Sequence, residues 1–282
     1  MEDFFFVSEG ERIHAVLYEA TEGKAPHGAV IFCHGAFESS AHWTDYARRL
    51  ADQGITALAV DFVGHGASDG LRGLVDLRRW AYNLRDAMNA LSLRGDRRFA
   101  LVGWDSGGSA ALLAAAHDHR IECVVTLAAP VNLTPLLSER IVFILMTGWS
   151  KARRLFTKKP LTLSRAEAYN DLCFAVDSEV DGAYKNDAYL QEILAAVPVP
   201  QSLDSVWVDI TTALKNVNTP VLVLHGKADE VIPMRQSEKL LKLLPGHKKL
   251  VLVEDAGHAL HLDQKKDEVY ITIARWIKNY LN

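Results

Sequence analysis

The residues best placed to do chemistry in this sequence lie where short apolar runs give way to turns. The most telling stretch is Leu101-Val102-Gly103-Trp104-Asp105-Ser106-Gly107-Gly108, which follows the apolar run 99–102 and precedes the alanine-rich run 109–116. This pattern predicts a strand, a sharp turn and a helix, the shape of a nucleophile elbow. Such a turn strains its central residue, so the positions two before and two after must be small enough for strand and helix to approach. Gly103 and Gly107 meet that requirement around Asp105. With Ser106 at the centre, the position two before would be Trp104, an indole where little more than a hydrogen fits. The plainer alternative is a helix start with Asp105 as its N-cap.

Three other constellations follow apolar runs, the place where open α/β sheets bind ligands. His34-Gly35-Ala36-Phe37 comes after the run 29–33. A tight turn there would expose the Ala36 N–H beside the elbow, paired with the Ser106 N–H at the start of its helix. Two donors aimed at one point make an oxyanion hole. His34 itself is expected to brace the loop. In Pro220 to Pro233 an apolar strand delivers a turn from which Asp229 projects, suited to orienting an imidazole; Glu230, displaced by one residue, suits it less. Asp255-Ala256-Gly257-His258-Ala259-Leu260-His261 again follows a strand-like run, and the glycine lets His258 turn towards the elbow. His261 is its competitor for the role of base.

These residues need a framework, and the rest of the chain predicts one. Strand patterns fall at 12–18, 29–33, 56–61, 99–102, 123–128, 221–225 and 250–254, several of them the continuous apolar runs of buried parallel strands. Leu77, Trp80, Ala81, Leu84, Met88 and Leu91 recur at helical spacing, as do Val269, Ile273, Trp276, Ile277 and Tyr280. The fold class is therefore α/β, a mostly parallel sheet flanked by helices. The alternation breaks between 131 and 217, where Pro135, Pro160, Pro198 and Pro200 punctuate helical patterns and no strand is evident. This predicts a core of 1–130 and 218–282 with a helical cap insertion at 131–217.

Composition narrows the possibilities. With 282 residues, 49% of them hydrophobic, the chain can bury one large core without a partner. A formal net charge of −4 with interspersed signs gives no reason to expect nucleic acid. The N-terminal apolar run is far too short for a secretory signal, and the run 141–146 is too short for a bilayer, which needs about 20 residues. Three cysteines, Cys33, Cys123 and Cys173, cannot all pair and read as reduced. A cytoplasmic protein without metal or cofactor, and without stable membrane insertion, is expected.

Together the quoted motifs resemble the α/β-hydrolase fold over nearly the whole chain. The order Asp105, Asp229, His258 matches that fold's order of nucleophile, acid and histidine. His34 to Ser40 and Asp61 to Gly70, with Leu71 to Asp76 after them, are similar to loops of the lysophospholipase and monoacylglycerol lipase group. The resemblance implies a small apolar or lipid-like substrate. That group carries serine where this chain has Asp105, whereas haloalkane dehalogenases and epoxide hydrolases carry aspartate. Those relatives usually have proline where this chain has Phe37, and the dehalogenases place tryptophan where it has Ser106.

Chemistry weighs on this conflict. A carboxylate that attacks an ester carbonyl forms a tetrahedral species from which the carboxylate itself leaves far more easily than the alkoxide, so attack mostly reverses. At a saturated carbon bearing a halide or epoxide oxygen, it can instead form an alkyl-enzyme ester, which water activated by His258 would hydrolyse. An epoxide would need an acid, for which the cap offers Tyr169, Tyr184 and Tyr189. A halide would need N–H donors, for which it offers Trp149 and Trp207. Phe37, Trp104, Trp149, Tyr184 and Trp207 are the expected pocket residues. The competing expectations are a lipase-like site silenced by Asp105, and an esterase working through His258-activated water alone.

Overall fold

Continuous apolar runs become buried strands in the computed structural model, which describes residues 1–20, 28–133, 137–158, 161–198 and 207–281. The strands are β1 (Glu2–Ser8), β2 (Glu11–Tyr18), β3 (Gly28–Cys33), β4 (Thr56–Val60), β5 (Arg98–Trp104), β6 (Ile121–Leu127), β7 (Asn132–Leu133), β8 (Thr162–Leu163), β9 (Val197–Pro198), β10 (Val208–Asp209), β11 (Val221–Gly226) and β12 (Lys248–Val253). Eight of them form one sheet in the order β1-β2-β4-β3-β5-β6-β11-β12. The pairs β1/β2 and β2/β4 are antiparallel and the rest parallel. This is the α/β-hydrolase fold.

Register brings the chemistry to one edge. Cys33 pairs with Gly103, so the loop after β3 and the turn after β5 emerge side by side. Gly226 pairs with Val253, which does the same for the Asp229 and His258 loops.

Helices cover both faces, each with its own apolar layer. On one face lie α2 (Leu77–Leu93) and α3 (Ser106–Ala115). Asp76 caps α2 by accepting from the Arg78 and Arg79 amides, and its buried residues Trp80, Leu84, Ala87, Met88 and Leu91 follow the helical period. On the other face, α1 (Thr44–Ala51) and the C-terminal helix Lys266–Leu281 contribute Tyr46, Leu50, Ile273 and Ile277. Cys33 and Cys123 are buried free thiols, and Cys173 is an exposed one.

Two expectations need correction. The N-terminal segment is strand β1, hidden in the sequence because three consecutive phenylalanines mask its alternation. Phe6 is buried against the core, while Phe5 and Val7, at 46% and 69% exposure, face out. The stretch 131–217 also contains strands: β7 pairs with β10, and β8 with β9. Two-residue strands are too short for any period to show. Its described helices are α4 (Leu137–Thr157), α5 (Arg165–Tyr169), α6 (Ser178–Lys185), α7 (Ala188–Ile193) and a short one at Thr211–Leu214. Pro135, Pro160 and Pro200 lie outside the described residues. Among the described residues no helix is long and apolar enough to cross a membrane.

Backbone packs closely on backbone at the turn after β5. A Cβ added to Gly107 would lie 2.3 Å from the His34 carbonyl oxygen and 2.6 Å from that of Cys33, both backbone. Gly107→Ala should therefore lower stability by about 3 kcal/mol, as overpacking does. Gly182→Ala in α6, where a Cβ meets nothing within 4 Å, should raise it by roughly 0.5–1 kcal/mol. Urea denaturation of the two variants beside the parent checks both signs.

Candidate active site

The strained residue at the turn is Asp105, with φ 50° and ψ −127°. Ser106 is instead the first residue of α3 and is buried. A left-handed φ on a residue with a Cβ costs roughly 1–3 kcal/mol and persists only where the surroundings enforce it. At this turn the Asp105 N–H donates to the Leu127 carbonyl and its own carbonyl accepts from the Gly108 N–H, each at 2.9 Å. Gly103 must be bare, since a Cβ there would fall 2.6 Å from the Gly107 carbonyl.

The Asp105 side chain points at the neighbouring loop. Its Oδ2 accepts a hydrogen bond from the Ala36 N–H at 3.1 Å. A Cβ on Gly35 would crowd the same carboxylate at 3.1 Å, so the loop approaches as closely as glycine allows. His34 braces this loop from below. Its Nε2 accepts from the Phe62 N–H and its Nδ1 donates to the Gly35 carbonyl, a neutral tautomer that burial favours by lowering its pKa. The Ser106 N–H opens α3, where first-turn amides have no partner within the helix.

His258 faces the same edge. Its Nδ1–H donates to Asp229 Oδ2 at 2.9 Å, and because a carboxylate only accepts, Nε2 carries the lone pair when the ring is neutral. Asp229 is buried and pinned through Oδ1 by the Val231 and Ile232 amides, both at 2.9 Å, while Glu230 is exposed. Burial works to lower the His258 pKa, but the Asp229 charge and hydrogen bond, with the Asp105 charge, prevail and raise it above 6.5. Burial likewise works to raise the Asp229 pKa and loses to His258, so it is lowered. Trp104 Nε1–H donates to the His258 carbonyl at 2.9 Å, and the rings of Trp104 and Phe174 flank the imidazole. His261 has no such carboxylate. It is stacked on Trp43, and neither of its ring nitrogens has a hydrogen-bond partner among the described residues.

Above the loop lies a charged network that single residues in the sequence did not announce. Arg165 and Glu38 are both fully buried and pair at 2.9 Å. Arg165 also donates from Nε to the Phe37 carbonyl and from Nη1 to the Lys185 carbonyl. Tyr184 donates to the same Glu38 oxygen at 2.6 Å, and His42 donates to the other at 2.5 Å. Tyr169 donates to the Ala36 carbonyl at 2.6 Å. Phe37 packs edge-on against Tyr169.

The other aromatic candidates lie apart from these contacts. Trp149 is 59% exposed on α4. Trp207, 43% exposed, lines a cavity of about 930 Å³ with Asp76, Tyr82 and His117, and Tyr189 lines another of about 400 Å³ with His14 and Asp61. Neither cavity includes Asp105 or His258 in its lining. Their positions depend on how the insertion folds back, which helical spacing does not encode.

Comparison with known proteins agrees with the fold. Residues 24–265 match the serine aminopeptidase S33 family, and the chain belongs to it. It is 24% identical over 264 residues to a monoglyceride lipase homolog of monkeypox virus, covering 90% of each chain. It is 26% identical over 264 residues to an uncharacterized abhydrolase domain-containing protein of Dictyostelium discoideum, covering 90% of this chain but only 26% of that protein. A solved structure of DcsB in complex with its substrate analogue superposes with a TM-score of 0.84 at 21% identity over 99% of both chains, a likeness of fold alone. The protein is a hydrolase of the α/β-hydrolase superfamily.

The buried network sets a stability test. Glu38→Gln would leave the Arg165 guanidinium without its counter-charge, at a cost of about 3–5 kcal/mol. Burial pushes the Glu38 pKa up, but His42 and Arg165 overcome it and hold it at about 2, against 4.5 ordinarily. Its contribution is thus full above pH 4.5 and lost as pH falls towards 2. Burial pushes His42 down, yet Glu38 and Asp187 raise it to about 9 from 6.5, so its contribution is full below pH 6.5 and lost as pH rises through 9. The gap between parent and Glu38→Gln in denaturant titrations should be widest between pH 4.5 and 6.5.

Proposed function

We propose that this S33-family hydrolase uses Asp105 as a nucleophile towards saturated carbon, with His258 as base and Asp229 as its orienting acid. The observation that carries this reading is the hydrogen bond from the Ala36 N–H to Asp105 Oδ2. It holds one carboxylate oxygen at the donor and leaves Oδ1 for attack. It also occupies the donor that an ester's carbonyl oxygen would need, so acyl substrates meet both a filled hole and a nucleophile that leaves better than an alkoxide.

Oδ1 forms a bond to the substrate carbon while the bond to the leaving group breaks, its electron pair departing with that group. An alkyl ester of Asp105 results. His258 Nε2 then takes a proton from water, whose oxygen attacks the Asp105 carboxyl carbon. The oxyanion develops at Oδ2, beside the Ala36 and Ser106 amides. Collapse expels the alcohol, which takes its proton from His258, and leaves Asp105 as a carboxylic acid; its remaining proton, the second from the attacking water, passes through His258 to solvent, which restores the carboxylate.

Substrate class follows from what surrounds the site. Tyr169 and Tyr184 each have one hydroxyl proton, which the first donates to the Ala36 carbonyl and the second to Glu38. This reading takes leaving groups that depart as stable anions without a proton; the N–H donors named for a halide do not single one out, since Trp149 is exposed on α4 and Trp207 lines a separate cavity. Phe37, Trp104 and Phe174 suit an apolar substrate, and the viral relative named a monoglyceride lipase homolog supports a lipid-like one. Residues 131–217 act in this reading as a cap on the core of 1–130 and 218–282. A second reading rests on the same filled hole: the scaffold is an ester hydrolase silenced by Asp105. It requires that Asp105→Ser, which frees the Ala36 donor, gain activity on short acyl esters.

Mass spectrometry separates the two. His258→Gln incubated with 1-bromobutane should accumulate an alkyl adduct on the Asp105 peptide, absent when Asp105→Asn is added. An unmodified peptide after both 1-bromobutane and styrene oxide would sink the covalent reading. Hydrolysis of the adduct needs neutral His258, so its rate should rise with pH through the titration of that imidazole, which the Asp229 charge and hydrogen bond act to raise. Asp229→Asn should move that limb to lower pH and slow the step roughly 10²–10⁴-fold.

A further inference from the structure

We infer that Tyr169 and Arg165 are positioning residues that aim the Ala36 N–H at the nucleophile, so that the oxyanion hole is complete only while the cap is docked. The inference deepens the reading of Asp105 as nucleophile, and its kinetic part rests on that reading.

The loop after β3 is anchored to the core at its two ends. His34 is held by the Phe62 amide, and the Ser40 N–H donates to Asp61 Oδ1 at 2.6 Å. Between them, Ala36, Phe37 and Glu38 belong to no strand or helix. Phe37 has φ 57°, a left-handed value unfavourable for an aromatic residue. Its backbone needs holding, and the holding groups come from the insertion. Tyr169 donates to the Ala36 carbonyl, Arg165 to the Phe37 carbonyl, and Arg165 with Tyr184 to the Glu38 carboxylate. Three successive acceptors on the loop thus meet three cap side chains.

This arrangement makes docking all-or-none. Arg165 touches Phe37, Glu38 and Lys185 at once, with its side chain fully buried. Its guanidinium lies over the rings of Tyr169 and Tyr184, at 4.7 and 4.8 Å from their centroids. Burying a guanidinium and a carboxylate is offset only when every bond between them forms. A partly lifted cap would take Arg165 and Tyr184 from Glu38, which would keep only His42, and would leave Phe37 unheld. The Ala36 amide, one peptide before the carbonyl that Tyr169 grips, would then lose its aim at Asp105 Oδ2.

Two measurements test this. In the resting protein, amide hydrogen exchange at Ala36 should quicken about tenfold or more in Tyr169→Phe and in Arg165→Lys, while Val102 in β5 stays protected and reports that the fold is intact. Unchanged exchange at Ala36 overturns the inference whatever the chemistry proves to be. With 1-bromobutane, the same variants should slow hydrolysis of the Asp105 ester, whose oxyanion the hole must stabilise, about tenfold more than they slow ester formation. Equal slowing of both steps, or of neither, also overturns it. If the His258→Gln protein forms no adduct, the covalent reading fails and the exchange result alone decides the positioning role. Should Arg165→Lys not fold, Tyr169→Phe, which removes one hydroxyl, carries both measurements.

Discussion

The hydrogen bond between the Ala36 amide and the Asp105 carboxylate depends on three close backbone approaches, and much of the structure is arranged to permit them. Gly103 and Gly107 let α3 fold back on β5, and Gly35 lets the next loop graze the Asp105 side chain. The pairing of Cys33 with Gly103 sets both turns level. Without that register a strained φ at residue 105 would have no purpose, since strain is tolerated where the surroundings over-determine it. The resulting bond fixes one carboxylate oxygen of Asp105.

Two buried charge systems lie among the loops around this bond. In one, Asp229 holds the imidazole of His258 and raises its affinity for a proton; its own charge is stabilised by two backbone amides. In the other, Glu38 is ringed by Arg165, His42 and Tyr184. Both are far from water, where an unpaired charge is costly and a satisfied network is rigid. In the proposed reaction the first bears on the proton that moves. The second fixes the loop that presents the Ala36 donor, and it reaches across from the insertion to do so.

The histidines show how environment sorts one residue type into different roles. His34 is neutral and structural, bonded through both nitrogens to backbone. His42 is held protonated by two carboxylates. His261 is pushed well towards the neutral form by burial and stacks on Trp43. His258 alone of the four pairs with a buried carboxylate beside the elbow.

The sequence by itself determined the fold class, the parallel strands and the places where the loops turn, because continuous apolar runs and glycines at a turn are local requirements. It also pointed to Asp105 over Ser106, since the steric demand on the flanking positions is written within five residues, and to Asp229 over Glu230 by the reach of a short turn. Strand β1 escaped notice because three adjacent phenylalanines conceal a period of two, and β7 to β10 because two residues have no period. Only the tertiary structure decided what the insertion does. It left Trp149 exposed on α4, turned Trp207 to a different cavity, committed Tyr169 and Tyr184 to the loop after β3, and brought Arg165 to Glu38 across 127 residues. Contacts of that length depend on how one layer settles on another, and no local pattern of residue types carries that information.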